Sequence, residues 1–218
     1  MPDTVDALLP LSFLEAVRNV DTPEGDYDAE YVAELRNKRL GLSDTVYAQI
    51  KRFTEAVRRG QTTSLDEAVA LAKLIGRRPD AENVFRSAGR YLAREAYLTI
   101  PATTRRLIHF LPSLLARPLA LRRARRIAGR YMDGTVDRVG SHLLLEVPRT
   151  VTLNVSSAGV GCVYYESAFK ELLRLLAGNA GTVEHVRCVT RGERVCEWRA
   201  EWRPGGTSSA AQDRKSVV

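Results

Sequence analysis

Apolar residues recur along this chain at two different spacings, and the changeover falls near residue 133. Before it the spacing is three and four. Val46, Ile50, Phe53 and Val57 form one stripe over residues 43–59, with Gly60 as a stop, which predicts a helix. Ser64 opens Ser-Leu-Asp-Glu, with Glu67 three residues on, a capping box. Leu65, Ala68, Leu71, Ala72 and Ile75 make the apolar face of that next helix. Asp80 is placed to cap another, with Val84, Ala88, Tyr91 and Leu92 inward. Pro101 suits the opening of a helix. Leu107, Phe110, Leu111, Leu114 and Leu115 follow, interrupted by Pro112, and a basic segment then keeps Leu119, Ile127 and Tyr131 available to a core. Residues 1–42 read as more loosely organised: a short helix in LLPLSFLEAVRNV, an acidic turn-rich linker in DTPEGDYD, and a helical turn or two over 29–39.

After Asp133-Gly134 the period shortens to two. Residues 135–139 and 142–147 read as strands about Gly140-Ser141, and 150–155 alternates as a third strand. A loop at 156–159 leads to a helix over 162–176, striped by Phe169, Leu172, Leu173 and Leu176 and ended by the glycines at 178 and 181. Strands over 182–190 and 194–202 follow, joined at Arg191-Gly192-Glu193, a hairpin signal. The expected fold is α+β: an antiparallel sheet with helices packed on one face, preceded by a helical N-terminal region. The expected organisation is a helical extension over 1–80, a main domain over 81–203 and a Gly/Ser-rich disordered tail over 204–218.

Composition adds a charge asymmetry. The chain has 218 residues, a net charge of +7 and 44% hydrophobic content, enough for a sizeable core without disulfides. Residues 1–34 hold nine acids (Asp3, Asp6, Glu15, Asp21, Glu24, Asp26, Asp28, Glu30, Glu34) against Arg18 alone. Residues 86–138 hold twelve arginines against Glu95, Asp133 and Asp137. The basic middle suits an anionic partner or a solvated face. No apolar run is long enough to span a membrane, and the acidic N-terminus lacks the basic start of a secretory signal. A cytoplasmic location, peripheral to a membrane at most, is expected. In that compartment three clustered cysteines favour metal over disulfides.

The chemistry concentrates in 162–196, which holds Cys162, Cys188 and Cys196 and also His185. Cys188 and Cys196 flank a tight turn. Cys162 opens the preceding helix, where a thiolate is favoured. Tetrahedral zinc takes four such thiolate and imidazole ligands. Two residues compete for the fourth position. His185 lies three before Cys188, on the opposite face of a regular strand unless a bulge re-aims it. Glu184 offers a carboxylate. Buried, small, unreactive cysteines are the alternative to a metal site.

The segment GCVYYESAFKELLRLLAG followed by VEHVRCVTRGERVCEWRAEW resembles the end of a 4-vinyl reductase domain. That family includes sensory domains of aromatic-catabolism regulators and bacteriochlorophyll 4-vinyl reductase-like proteins. The resemblance covers 134–203, extends in character over 82–131, and leaves residues 1–80 unmatched. In the aromatic sensors three such cysteines and a glutamate bind structural zinc. Cys162, Cys188 and Cys196 match by spacing, and His185 stands where the sensors carry glutamate. The resemblance thus implies a structural zinc on three thiolates and an imidazole.

It also implies an apolar pocket for an aromatic compound or a tetrapyrrole, lined here by Tyr91, Tyr97, Phe110, Tyr131, Tyr164, Tyr165, Phe169 and Trp198. Core packing is the alternative role for each of these aromatics. No Ser/His/Asp set, P-loop or dinucleotide fingerprint accompanies the family's reductase label, so binding is expected ahead of catalysis. His109 and His142 stand alone. The expected function is a zinc-stapled binder of a hydrophobic small molecule or tetrapyrrole, an accessory factor in bacteriochlorophyll metabolism or photosynthesis. The competing expectation is a non-catalytic subunit that docks on a larger, membrane-associated photosynthetic complex. Its protein partner would be met through 1–80 or the arginine-rich 105–130. A third, weaker reading is an enzyme acting on a chlorophyllide vinyl group. Homodimerisation is left open, and nucleic acid is disfavoured because no groove-reading element is recognisable.

Overall fold

The computed structural model describes residues 4–21, 44–153, 155, 159–178 and 181–202. The acidic linker, the helical turns expected over 29–39, most of the 156–159 loop and the C-terminal tail lie outside the described residues. The fold is α+β with two antiparallel sheets.

A two-stranded ribbon pairs β1 (Thr4–Asp6) with β2 (Thr62–Ser64), Val5 opposite Thr63. Between them in sequence come α1 (Leu8–Val20) and α2 (Asp44–Arg58). Asp6 Oδ1 accepts from the Leu8 N–H at 3.0 Å, satisfying a donor the helix start leaves free. Pro10 falls in the first turn, where no helical N–H is missed. The helix is not a loose appendage. Leu8, Leu9, Leu11, Phe13, Leu14 and Ala16 are all buried, and the Ser12 hydroxyl meets the Leu9 carbonyl at 2.6 Å and Tyr164 Oη at 3.2 Å.

Next come α3 (Leu65–Ile75), α4 (Ala81–Leu98), α5 (Ala102–Phe110) and α6 (Ser113–Tyr131). Ser64 caps α3 through the Asp66 N–H, but Glu67 does not close the box. Its carboxylate turns to Thr63 Oγ1 at 2.6 Å and to Arg52. Asp80 does not cap α4 with its side chain; Arg78 takes both carboxylate oxygens, at 2.8 and 2.9 Å. An ion pair outcompetes the cap because it adds opposite charge to the hydrogen bond.

The core centres on α1, α4 and α7 (Cys162–Ala177). Phe13 packs on Phe85 at 5.8 Å and on Tyr164 at 5.0 Å, joining all three helices. Gly89 of α4 lies against α7 so closely that a Cβ there would sit 2.2 Å from both the Tyr164 carbonyl and Ser167 Oγ. Glu171 of α7 ties the pair at its edge, receiving Arg174 at 2.7 Å and Arg94 at 2.8 Å.

The second sheet has the order β3 (Thr135–Val139), β4 (His142–Val147), β6 (Cys196–Glu201), β5 (Val183–Arg187). Val136, Leu143, Leu145, Val147, Cys196, Trp198 and Ala200 are buried, while Glu146, Arg199 and Glu184 face out. This is the two-residue alternation of a sheet with one covered face.

The strand expected over 150–155 is not formed among the described residues of that span. Residues 150–153 make a turn, with Leu153 N–H to the Thr150 carbonyl at 3.1 Å. β4 already has β3 on one side and β6 on the other, so neither of its edges is open to a third strand. The turn is pinned to α7 instead. Tyr165 Oη accepts from the Val151 N–H at 3.1 Å, and Thr152 Oγ1 donates to the Gly161 carbonyl at 2.7 Å. The Thr/Val alternation thus reflects burial against a helix.

Candidate metal centre

The geometry of the cysteine cluster follows from three local structures. Cys162 is the first residue of α7, directly after Gly161. Gly161 is required there: a Cβ would lie 2.3 Å from the Thr152 carbonyl oxygen. Cys196 opens β6, opposite Val147 of β4. Cys188 follows β5, where the chain leaves the sheet through a short 3-10 turn at Val189–Arg191. The expected two-strand hairpin is therefore shorter, and its connection wider, than the sequence pattern suggests. Gly192, at φ +89°, closes that connection in a conformation that favours glycine.

The pairing of β5 with β6 shifts register between His185 and Arg187. His185 lies opposite Trp198 and Arg187 opposite Glu197, so the extra residue, Val186, is absorbed in a bulge. A regular strand would point His185 and Cys188 to opposite faces. The bulge cancels that difference. One ligand atom from each of Cys162, His185, Cys188 and Cys196 lies within 4.8 Å of all the others. The Cys162–Cys188 and Cys188–Cys196 sulfur separations are 3.8 and 4.0 Å. Glu184 is elsewhere: its carboxylate faces outward and receives Arg199 at 2.7 Å.

All three cysteines are free thiols and buried. His185 Nε2 is buried without a hydrogen-bond partner among the described residues. Its ring stacks on Trp198 at 4.7 Å and 10°, which fixes the plane of the imidazole. The sulfurs are supplied with donors. The Val189 N–H points at Cys196 Sγ at 3.4 Å, and Thr190 Oγ1 lies 2.9 Å from Cys188 Sγ. Glu193 accepts the Cys188 N–H and steadies the loop. The thiol protons are unequally held. The proximity of Cys162 holds the Cys196 thiol well below its ordinary value, while the proximity of Cys196 and burial push the Cys162 thiol up. The four side chains together can hold a metal ion.

The eight aromatics expected to line a pocket differ in burial. Tyr164, Tyr165, Phe169 and Trp198 are fully buried in the core. Tyr91 and Tyr97 are partly buried, Tyr97 meeting His109 Nε2 at 3.0 Å, and Phe110 is 85% exposed. Tyr131 and Tyr165 reach a cleft of about 430 Å³ between the β1–β2 ribbon, the end of α6 and the 149–151 turn. Its other walls include Asp6, Arg130, Asp133 and Arg149, which sequence reasoning did not single out. Arg130 pairs with the buried Asp6 at 3.0 Å, and Arg149 with Asp133 at 3.1 Å. Asp6 and Arg130 are 124 residues apart, so no local signal marks the cleft.

No helix among the described residues is long and apolar enough to cross a membrane. No family model, no curated protein and no solved structure matches the chain.

Proposed function

We propose that the chain is a non-catalytic small-molecule-binding protein of the 4-vinyl reductase type, with its last helix and hairpin stapled by a structural zinc ion. The carrying observation is the convergence of three sulfurs and one imidazole from α7, the end of β5 and β6, with one ligand atom of each within 4.8 Å of the others. Zinc–sulfur bonds of about 2.3 Å at tetrahedral angles require sulfur separations of about 3.8 Å. The 3.8 and 4.0 Å separations fit that requirement. The soft donor set suits zinc better than magnesium or calcium. Bound there, zinc would supply a cross-link. With all four positions filled by protein it would keep no open site for water.

The residues of this chain have defined parts in that site. His185 and Cys188 bring the β5 end, Cys196 brings β6, and Cys162 brings the N-terminus of α7. Trp198 orients the imidazole, and the Val189 N–H and Thr190 hydroxyl offset thiolate charge. The cleft between β1–β2 and α6 is the ligand site this reading favours. Its volume lies within the usual range for small-molecule sites, and Tyr131 and Tyr165 give it aromatic wall.

Elemental analysis of the purified chain tests the staple, with about one zinc per chain expected. Metal-free protein whose melting is unchanged by added zinc refutes it. Titration of the zinc-loaded chain with a porphyrin carboxylate tests the cleft: a raised melting temperature that Tyr131→Ala abolishes supports it, and no shift overturns it.

A further inference from the structure

The corner between α5 and α6 exposes more apolar surface than a soluble helix pair needs. Phe110 is 85% exposed, Leu114 81%, Leu115 59% and Leu107 51%. These side chains are contiguous along the chain, spanning the end of α5, the Pro112 turn and the start of α6. The rest of α6 is well seated: Ala120, Ala124, Ile127, Ala128 and Tyr131 are buried. The outer face of the same helix changes character along its length. It presents Leu114 and Leu115 first, then Arg122 and Arg126, which lie seven and eleven residues after Leu115 and so return to its side of the helix.

The surrounding charge has one sign. From residue 96 to residue 132 there is no Asp or Glu, and there are eight arginines: Arg105, Arg106, Arg117, Arg122, Arg123, Arg125, Arg126 and Arg130. Arg125 is spent on Asp137 and Arg130 on Asp6. Arg106, Arg122 and Arg126 are exposed and make no ion pair among the described residues.

We propose that this corner docks on an anionic phospholipid bilayer, with Phe110, Leu114, Leu115 and Leu107 entering the headgroup–acyl boundary and Arg106, Arg122 and Arg126 meeting lipid phosphates. An acidic protein surface would satisfy the arginines and leave the Phe and Leu tips without a role. A purely apolar partner would do the reverse. An anionic membrane surface takes both at once, which is the arrangement of interfacial helices that lie on a bilayer without crossing it. The acid-free run removes the like-charge repulsion that carboxylates would meet at such a surface. The inference rests on α5 and α6 alone and is independent of the metal and of the cleft.

Co-sedimentation of the full chain with vesicles of roughly three parts phosphatidylcholine to one of phosphatidylglycerol tests it. The chain should pellet with these vesicles, remain in solution with phosphatidylcholine alone, and be released by about 0.5 M salt. The double variant Phe110→Ser/Leu114→Ser should weaken partitioning about tenfold or more at an unchanged melting temperature, because both side chains are exposed. The pair Arg122→Glu/Arg126→Glu should do the same, and the emission of Phe110→Trp should shift to the blue on adding anionic vesicles. Absence of pelleting at low salt overturns the proposal. So does a solution dimer that the Phe110→Ser/Leu114→Ser variant dissolves while vesicle binding is unchanged, since the corner is then an interface between copies of the chain.

Discussion

Gly89→Ala separates local preference from tertiary fit, and the two disagree in sign. Gly89 lies inside α4. On helix propensity alone, alanine is favoured there by about 1 kcal/mol. In the structure an added Cβ would sit 2.2 Å from the Tyr164 carbonyl, 2.2 Å from Ser167 Oγ and 2.9 Å from the Ala168 nitrogen. Ordinary contact begins near 3.4 Å, so the two helices must part by 3.4 − 2.2 = 1.2 Å at this point. Serine could rotate away; the Tyr164 carbonyl is backbone and cannot. Overpacking of this kind costs about 1–3 kcal/mol, and a clash with backbone belongs at the upper end. Against the propensity gain, a net loss of about 2 kcal/mol is expected, or roughly 4–8 °C in melting temperature for a chain of this size. The displaced segment begins two residues after Cys162, so a shift there also moves one sulfur away from its 3.8 Å contact with Cys188. Thermal melting by circular dichroism and a competitive zinc titration, run together, should show lower stability and weaker metal binding. A Gly89→Ala protein that melts at or above the parent temperature with unchanged zinc affinity refutes both the packing and its link to the site.

His185→Ala should abolish stoichiometric zinc, whereas Glu184→Ala should leave it intact, because Glu184 only pairs with Arg199 at the surface; elemental analysis of both variants decides between them. Phe13→Ala should cost about 3–5 kcal/mol in urea unfolding, since its fully buried ring joins α1, α4 and α7. Arg174 first, and Arg94 with it, hold Glu171 at about 2, well below its ordinary value of 4.5. A depressed carboxyl stabilises above the unfolded value and loses that contribution as pH falls, so stability should drop between about pH 4.5 and about pH 2. Both arginines are largely exposed, so the amount lost is about 2 kcal/mol, and Glu171→Gln should flatten that part of the melting profile.

The sequence by itself determined most elements and the donor set. A three-four spacing marked α2, α3, α4 and α7, and a two-residue spacing marked β3, β4 and β6, because both periods are imposed by backbone geometry within a few residues. It also marked three cysteines and a histidine as metal ligands by type, and left Glu184 against His185 open. The folded chain brings His185 to the sulfurs and turns Glu184 outward, with a one-residue bulge at Val186 putting His185 and Cys188 on the same side. A bulge has no composition of its own; it follows from how β5 is held against β6. The same distinction explains the other differences. Residues 150–153 carry a strand-like alternation but meet a sheet whose β4 edges are both taken. The expected pocket aromatics are apolar enough for a pocket or for a core, and only the packing of α1, α4 and α7 placed Tyr164, Phe169 and Trp198 in the core and left Phe110 in solvent. The cleft joins Asp6 to Arg130 across 124 residues, a juxtaposition that only the folded chain creates. Local sequence fixes what each segment can do, and long-range packing selects which neighbour it does it with.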